Sequence, residues 1–151
     1  MNQIILYMFE IIITPGVQNT DGLGHINNGV LSEWFETART PIYKIFTPTL
    51  EFSHDKWRLI MVHSEYDYYN QIYFKRDVVV RTFIKKIGKT SFTVYHELFQ
   101  ENKKCASGSV VLVHYDFEME ENIDIPEDIR KKLKKHFYRY KTTKSNYENY
   151  L

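Results

Sequence analysis

Residues 20–39 read TDGLGHINNGVLSEWFETAR, and the character of the sequence changes halfway along this stretch. The first half belongs to a segment, residues 17–25, that holds two glycines and no periodic pattern, which predicts a structured loop. From Asn28 onward apolar residues recur at helical spacing, while hydroxyl and charged residues occupy the other face. The apolar positions are Val30, Leu31, Trp34, Phe35 and Ala38, and the polar face holds Ser32, Glu33, Glu36 and Arg39. The stretch therefore predicts one amphipathic helix with a broad apolar stripe.

A strand is predicted on the N-terminal side of this loop. Residues 4–13 are rich in β-branched and aromatic side chains, and Pro15-Gly16 ends the run. The N-terminus is apolar enough to be tested as a targeting segment, but it has no basic region and Glu10 interrupts it. No apolar run of about 18 residues follows. We therefore expect a buried strand here, with no secretion, anchoring or membrane spanning.

On the C-terminal side the sequence predicts a second, short helix and then four strands. Thr40-Pro41 resembles an N-cap followed by proline at the first helical position, so this helix should run through Phe46. A polar connection follows at residues 50–57. Strands are predicted at residues 58–68, 76–87, 90–100 and 105–119, with tight turns at residues 87–89 and 101–104. Long strands joined by such short turns form an antiparallel meander.

Pro126 begins a predicted C-terminal helix, EDIRKKLKKHF, whose acidic residues come first and whose basic residues come last. The polar tail from Tyr138 is expected to be frayed. The order of elements is thus strand, helix, four strands and closing helix. A curved antiparallel sheet that wraps one apolar helix satisfies this order, because the helix stripe needs a sheet face to cover it. We predict one α+β domain over residues 1–151, without repeats or linkers.

Composition sets outer limits on the function. A chain of 151 residues fits one domain, and 12 Tyr with 10 Phe suit half-buried strands. A net charge of +1 gives no global field to attract nucleic acid or an anionic membrane. The single cysteine, Cys105, excludes an internal disulfide framework. It fits a reducing compartment, and we expect a cytoplasmic protein.

The loop ahead of the main helix carries the residues best suited to chemistry. A helix start presents unpaired backbone N–H groups and a positive dipole end, which can hold an oxyanion or a polarised carbonyl. Gly22 and Gly24 let the backbone turn sharply, and Asp21 places a carboxylate nearby. Carboxylate plus N–H donors is the minimum set for acyl transfer. The alternative is that Asp21 and Asn27 or Asn28 are only turn and capping residues.

The same stretch resembles the signature of the 4-hydroxybenzoyl-CoA thioesterase-like branch of the hotdog superfamily, Asp-x-x-Gly-His-x-Asn-Asn followed by aromatic-Glu-x-Ala-Arg. Its elements here are Asp21, Gly24, His25, Asn27, Asn28, Phe35, Glu36, Ala38 and Arg39. The IGKTS segment at residues 87–91 and the helix start at residues 126–130 also match. The resemblance covers residues 8–136. It implies a hotdog fold, a curved antiparallel five-stranded sheet around one long central helix, and a cofactor-free thioesterase acting on acyl-CoA-type thioesters.

The resemblance also implies roles for individual residues. The catalytic carboxylate falls on Asp21, as nucleophile or general base, and the N–H groups that polarise the carbonyl fall at Gly24 and His25. Substrate-binding positions fall on Asn27, Asn28 and Glu36, and on the turn that the CoA arm follows, at Lys85, Lys86, Lys89, Thr90 and Ser91. Two positions depart from the family pattern. Asn19 stands where many relatives have an acid, and Leu31 where many have tyrosine, which alters the polarity of the pocket.

Several candidate site residues have more than one possible role or little support from the sequence. The His25 imidazole could hydrogen-bond Asp21 or the leaving sulfur, or His25 could contribute only its backbone. Glu36 is the reserve catalytic carboxylate, because a helix carboxylate does the chemistry in some relatives. His63 and Glu65 share a strand face, but two ligands without a third make a weak metal site, and we predict no metal. Cys105 has no nucleophile motif around it. The basic run in residues 130–135 is typical of a solvated helix face, with phosphate binding as the alternative.

We further predict a homo-oligomer, a dimer or tetramer, with each active site at a subunit boundary. In residues 76–87 one face carries Val78, Val80 and Ile84, and the other carries Val79, Phe83 and Ile87, so a lone monomer would expose an apolar patch. The alternative is that the C-terminal helix covers the second face. Rival functions on the same fold are an acyl-carrier-protein thioesterase of a biosynthetic pathway and a non-catalytic acyl-CoA-binding protein.

Overall fold

A computed structural model describes residues 8–138 of the chain. The strands are β1 (Phe9–Ile13), β2 (Leu59–Tyr68), β3 (Val78–Ile87), β4 (Ser91–Gln100), β5 (Lys103–Asp116) and β6 (Glu121–Asn122). The α-helices are α1 (Val30–Ala38), α2 (Thr40–Phe46) and α3 (Glu127–Lys134), and a 3₁₀ turn spans Val17–Asn19. Residues 4–7 of the predicted first strand and residues 139–151 of the predicted frayed tail lie outside the described residues. The prediction of fraying is wrong at Tyr138, whose N–H donates to the Ile84 carbonyl and whose ring packs against Phe83 and Tyr95.

The strands form one antiparallel sheet in the order β1-β3-β4-β5-β2, and the short β6 pairs with β5. Strands β3, β4 and β5 are the predicted meander. The prediction is wrong for β2, which does not neighbour β3 but pairs with the far side of β5, where Leu59 lies opposite His114 and Tyr68 opposite Ala106. The connection at residues 69–77 is too long to force pairing between consecutive strands. The sheet therefore ends in β1 at one edge and β2 at the other.

Helix α1 lies against the concave face of the sheet, as its apolar stripe predicts. Leu31, Trp34, Phe35 and Ala38 are buried, while the acidic and hydroxyl positions of the opposite face are exposed. Phe35 reaches the centre of the sheet at Gly108, where an added Cβ would lie 2.8 Å from the Phe35 ring. Only a glycine lets the helix approach β5 this closely. The structure thus confirms the α+β class and the sheet that curves around the helix.

Helices α2 and α3 cover the rest of the concave face. Ile42 of α2 and Leu133 of α3 are fully buried in one cluster with Ile84, Phe92 and Val110 of the sheet. Because α3 packs on the same side of the sheet as the other helices, it does not cover the outer face. The alternative in which the C-terminal helix folds over that face is therefore wrong for the helix itself, and only Tyr138, which follows it in the described chain, packs against Phe83 of the outer face.

A β-bulge in β3 changes the predicted outer face. The register shifts between Ile84 and Lys86, so Ile87 pairs with Phe92 and packs against the core instead of facing outward. The assignment of Ile87 to the outer face is wrong for this reason. The outer face also carries charge, since Arg81 bonds Glu10 at 2.9 Å.

The large exposed apolar side chains of the sheet lie mainly on the β2 edge. They include Ile60, Met61, Val62 and Tyr68, followed in the chain by Tyr69. The apolar surface is therefore concentrated at one edge of the sheet more than on the outer face of β3.

The helical spacing predicts Arg39 on the polar face of α1, but this assignment is wrong, because the helix ends at Ala38 and Arg39 is buried in the core. It is only 2% exposed, its Nε donates to the Tyr43 hydroxyl, and its Nη1 lies 3.3 Å from Nε2 of His96. The His96 ring stacks on Phe35 with a distance of 4.7 Å between the ring centroids. Burial, and then the charge of Arg39, lower the pKa of His96 well below its ordinary value. A neutral imidazole can accept a hydrogen bond from the guanidinium.

Candidate active site

The loop before α1 is closed on itself by backbone hydrogen bonds. The N–H of Asp21 donates to the carbonyl of His25 at 3.0 Å, and the N–H of Asn27 donates to the carbonyl of Asn19 at 2.8 Å. Gly22 and Gly24 both have positive φ, +87° and +79°, which side chains disfavour. Asn19 is buried and accepts a hydrogen bond from the N–H of Gly16. The residue that departs from the family pattern therefore has a role in closing the loop.

The Asp21 carboxylate projects from this loop into solvent. Its Oδ1 accepts a hydrogen bond from the N–H of Leu23 at 2.9 Å, so the turn role considered as an alternative is present. Its second oxygen, Oδ2, accepts a hydrogen bond from none of residues 8–138. One oxygen thus shapes the loop and the other is available to a substrate or to water.

The amides of Gly24 and His25 are presented by the loop and not by the helix end. Helix α1 begins at Val30, five residues after His25, so the expectation that these N–H groups lie at the helix start is wrong. They lie instead in a segment that pairs with residues 72–74, through bonds from the N–H of Ile26 to Ile72 and from the N–H of Phe74 to Gly24. The N–H groups of Gly24 and His25 donate to no acceptor within the described chain, and both can polarise a carbonyl oxygen.

The His25 side chain packs edge-on against Tyr73, with ring centroids 5.3 Å apart and an interplanar angle of 76°. No hydrogen bond joins the His25 imidazole to the Asp21 carboxylate in the part of the chain that the structure describes. The geometry therefore gives His25 a packing contact and a backbone donor.

A cavity of about 300 Å³ adjoins the start of α1. Asn27, Asn28 and Leu31 line one wall, and residues 68–72 line the other. Asn27 Oδ1 accepts a hydrogen bond from the N–H of Gly29, and the Asn28 carbonyl accepts one from the Tyr68 hydroxyl. The two predicted asparagines thus lie on a cavity, and Leu31 stands at its wall.

Gln100 is a residue of this region that the sequence does not signal. It is 5% exposed, its Oε1 accepts a hydrogen bond from the N–H of Tyr73, and its Nε2 donates to the carbonyls of Tyr73 and Arg76. These contacts hold the segment that pairs with the Asp21 loop. A lone glutamine at a strand end belongs to no motif, so only the tertiary structure reveals it.

Replacing Gln100 by leucine should lower the free energy of unfolding by about 1–3 kcal/mol, because the backbone groups of Tyr73 and Arg76 lose the hydrogen bonds that they make to the buried Gln100 amide. Urea denaturation measures this difference. Gln18→Leu makes the same chemical change at an exposed position and should stay within about 0.5 kcal/mol of the parent protein. Equal unfolding free energies for the two variants would contradict this role of Gln100.

The predicted CoA turn (residues 85–91, the lysine turn) lies at the end of the β3–β4 hairpin that is far from the Asp21 loop. Strand β3 begins beside β1, with Val78 opposite Ile13, and ends at Ile87 before the turn. Nine steps along a strand cover about 30 Å. The structure therefore brings together Asp21, Gly24, His25, Asn27 and Asn28, and leaves Lys85, Lys86, Lys89, Thr90 and Ser91 distant from them within one chain.

The turn itself is well fixed. Arg130 of α3 donates from Nη1 to the Gly88 carbonyl at 3.0 Å and from Nη2 to the Lys89 carbonyl at 3.2 Å. Lys89 is exposed, 3.9 Å from Asp124, and Lys85 Nζ lies 5.2 Å from the Tyr95 ring centroid. Arg130, from the basic run, thus anchors the turn.

The remaining candidates are separate from the loop. Glu36 is exposed on the solvent face of α1. Cys105 is buried, and burial raises the pKa of its thiol, which makes it a poor nucleophile. His63 and Glu65 are both exposed, 3.7 Å apart. Within residues 8–138 no group of three or more His, Cys, Asp or Glu side chains could hold a metal ion. No helix in that range is long and apolar enough to cross a membrane.

Comparisons with known proteins identify the family to which this fold is similar. Residues 15–133 match the family described as the thioesterase-like superfamily. A "predicted thioesterase" from Bacillus stearothermophilus is 45% identical, with 89% of this chain and 99% of that chain covered and a TM-score of 0.84. A thioesterase from Thermus thermophilus, solved with coenzyme A and Zn, is 26% identical, with 82% of this chain and 95% of that chain covered and a TM-score of 0.72.

A DHNA-CoA thioesterase from Staphylococcus aureus shares the fold at 21% identity, with 84% of this chain and 91% of that chain covered and a TM-score of 0.69. No curated protein matches the chain.

Proposed function

The chain belongs to the thioesterase-like superfamily, and from that premise we propose that it hydrolyses acyl-CoA thioesters to the free acid and CoA thiol with Asp21 as the catalytic carboxylate. The enzyme is a thioester hydrolase with the hotdog fold. One observation carries the assignment of Asp21: its unbonded Oδ2 lies in the same short loop as the N–H groups of Gly24 and His25, which have no acceptor within the described chain.

The chemistry follows from these groups. The N–H donors polarise the thioester carbonyl and stabilise the oxyanion that forms when the carbonyl carbon is attacked. Asp21 either attacks that carbon, which expels the thiolate and leaves an anhydride for water to cleave, or takes a proton from the attacking water. Both routes end in carboxylic acid and thiol. In this proposal Asn27, Asn28 and the cavity that they line receive the acyl group.

A turnover assay with a panel of acyl-CoAs tests the proposal. A thioesterase releases free thiol many times per active site, whereas an acyl-CoA-binding protein holds the ligand without releasing thiol. The same assay with acyl-carrier-protein thioesters separates the carrier-protein alternative, since such an enzyme would turn them over faster than the CoA esters. The single, buried Cys105 suits a reducing compartment, and we place the enzyme in the cytoplasm.

We propose that the active site forms between two subunits. The β2 edge is ten residues long, unpaired on its outer side within the described chain, and exposes Ile60, Met61 and Val62. Such an edge favours pairing with another strand. The argument for an oligomer therefore rests on this edge and on the separation of the Asp21 loop from the lysine turn. It no longer rests on an apolar patch on the outer face of β3.

Antiparallel pairing of two β2 strands around a two-fold axis would complete the site. The Leu59 end of β2 lies at the lysine-turn end of the sheet, since the N–H of His114, opposite Leu59, donates to the Thr90 carbonyl. The Tyr68 end lies at the loop end, where the Tyr68 hydroxyl bonds Asn28. Antiparallel pairing would therefore place the Asp21 loop of one subunit at the same end as the turn of the other. A dimer suffices for this arrangement, and a tetramer would pair two such dimers.

The lysine turn should act on substrate binding more than on chemistry. Replacing Lys85, Lys86 or Lys89 by alanine should raise KM more than it lowers kcat, because each lysine meets the nucleotide phosphates of CoA, and the effect should shrink at high salt. Steady-state kinetics at two ionic strengths measures this. Pantetheine thioesters, which lack the nucleotide, should not respond, and Lys44→Ala on α2 is the matched control. An equal response with pantetheine substrates would make the phosphate assignment wrong.

A further inference from the structure

Residues 72–74 lie beside residues 24–26 of the Asp21 loop as a short antiparallel pair. Two backbone hydrogen bonds, of 2.8 and 2.9 Å, join the segments on either side of a bridge between His25 and Tyr73. In a pair of this type the backbone N–H and C=O groups of the two central residues point away from the partner segment. The N–H of His25 therefore points away from Tyr73.

The contacts of the His25 backbone agree with this direction. Its carbonyl accepts a hydrogen bond from the N–H of Asp21 at 3.0 Å. In extended backbone the N–H and C=O of one residue point to the same side, so the His25 N–H lies on the side where Asp21 lies. The bridge to Tyr73 thus sets the direction in which this candidate oxyanion donor points.

The backbone of Tyr73 points to the opposite side, where one side-chain amide takes both of its groups. Gln100 Oε1 accepts a hydrogen bond from the N–H of Tyr73, and Gln100 Nε2 donates to the Tyr73 carbonyl, both at 2.8 Å. Nε2 also donates to the carbonyl of Arg76 at 3.0 Å. Gln100 is 5% exposed and ends β4, which is paired with β3 and β5. A buried amide on a central strand thus takes the place of a further strand beside residues 72–74.

From these contacts we infer that Gln100 is a positioning residue for the hydrolysis: it fixes Tyr73 and, through Tyr73, aims the His25 N–H at the oxyanion. The inference rests on the function proposed above. All of these bonds lie within one chain, and β4 is not an edge strand, so pairing of two subunits at the β2 edge leaves them unchanged. Because the oxyanion forms only when the carbonyl is attacked, loss of this alignment should act on kcat and not on KM.

The experiment separates positioning from stability by comparing two destabilised variants. Gln100→Leu removes the three hydrogen bonds of the amide. Ile42→Val is the matched control, because it truncates a fully buried side chain of α2 in the core cluster that α2 shares with α3. Both variants should melt a few degrees below the parent protein. Kinetics are measured below all melting transitions, with the acyl-CoA that the parent protein hydrolyses fastest.

Gln100→Leu should lower kcat by about 10–100-fold and leave KM within about threefold, since a small displacement of a transition-state donor costs this much in rate. Ile42→Val should keep both constants of the parent protein. A kcat of Gln100→Leu within about threefold of the parent value overturns the inference, because even an imperfect oxyanion donor has a larger effect than this.

Gln100→Glu is a second test that does not depend on how Gln100→Leu folds. An ionised carboxylate accepts from the Tyr73 N–H but has no proton for the two carbonyls, whereas a protonated carboxyl donates to one of them. Burial raises the pKa of the introduced carboxyl, so the ratio of variant kcat to parent kcat should rise as the pH falls from about 8 to about 5.5. Gln100→Leu should show no such recovery. A ratio for Gln100→Glu that is independent of pH overturns the inference.

Failure of the inference and failure of the proposed function give different results. If Asp21→Asn loses thiol release while Gln100→Leu keeps the kcat of the parent protein, the thioesterase function stands and the positioning role of Gln100 is wrong. If the parent protein releases thiol from no acyl-CoA, the proposed function fails, and this inference with it.

Discussion

Replacing Asp21 by asparagine should lower kcat by about 10²–10⁴-fold, the range typical of losing a positioned catalytic base. Asparagine keeps the oxygen that accepts the hydrogen bond from Leu23, so the loop should hold its shape while the negative charge is lost. The melting temperature should therefore stay close to that of the parent protein. Thiol release at saturating acyl-CoA measures kcat, and a thermal denaturation scan verifies the fold.

Glu36→Gln is the matched control for this experiment. It makes the same carboxylate-to-amide change on the exposed face of α1, outside the Asp21 loop, and should leave kcat within a few-fold of the parent value. Near-normal hydrolysis by a well-folded Asp21→Asn protein, combined with a loss in Glu36→Gln, would assign the chemistry to the helix carboxylate. The two variants together identify the catalytic carboxylate even if either one alone gives an intermediate rate.

The local elements of the fold could be predicted because each has its own periodicity. The helical spacing of Leu31, Trp34 and Phe35 marks α1, and the alternation from Val78 to Ile84 marks β3. The place of β2 could not be predicted, since strand order depends on which edges meet in three dimensions and both neighbours are compatible with the same alternation. The bulge before Ile87 could not be predicted either. One extra residue in a strand moves the side chains that follow it to the opposite face of the sheet, and the composition of the strand gives no sign of this shift.

The candidate site also combines local features, which the sequence predicts, with long-range contacts, which it does not predict. Asp21, Gly24, His25 and Asn28 lie within eight residues of one another, so a sequence motif is enough to bring them together. The motif predicts the amide donors of Gly24 and His25 at the start of the helix. They lie instead in the loop, because this segment pairs with residues 72–74 and α1 begins only at Val30. Contacts between residues that are far apart in the chain, such as those of Gln100, cannot be predicted from the spacing of residues in the sequence.

Mixing two defective variants should restore activity if each site uses residues of two subunits. One variant carries Asp21→Asn, and the other carries alanine at Lys85, Lys86 and Lys89. In a mixed dimer one site receives both defects, and the other combines an intact Asp21 with an intact turn. Statistical exchange of subunits makes about half of all dimers mixed, so about a quarter of the parent kcat/KM should return. Assays at low substrate concentration, after co-expression of the two chains, measure this recovery.

A site contained within one chain gives a different result, because every site in the mixture then carries one of the two defects and the activity remains the average of the two variants. The separation of about 30 Å along β3 is the physical reason to expect recovery, since one subunit alone holds the carboxylate and the lysines at opposite ends of its hairpin. Sedimentation of the parent protein provides an independent measurement. A stable, fully active species of 18.2 kDa, the mass of one chain, would contradict the shared site even if the mixing experiment were ambiguous.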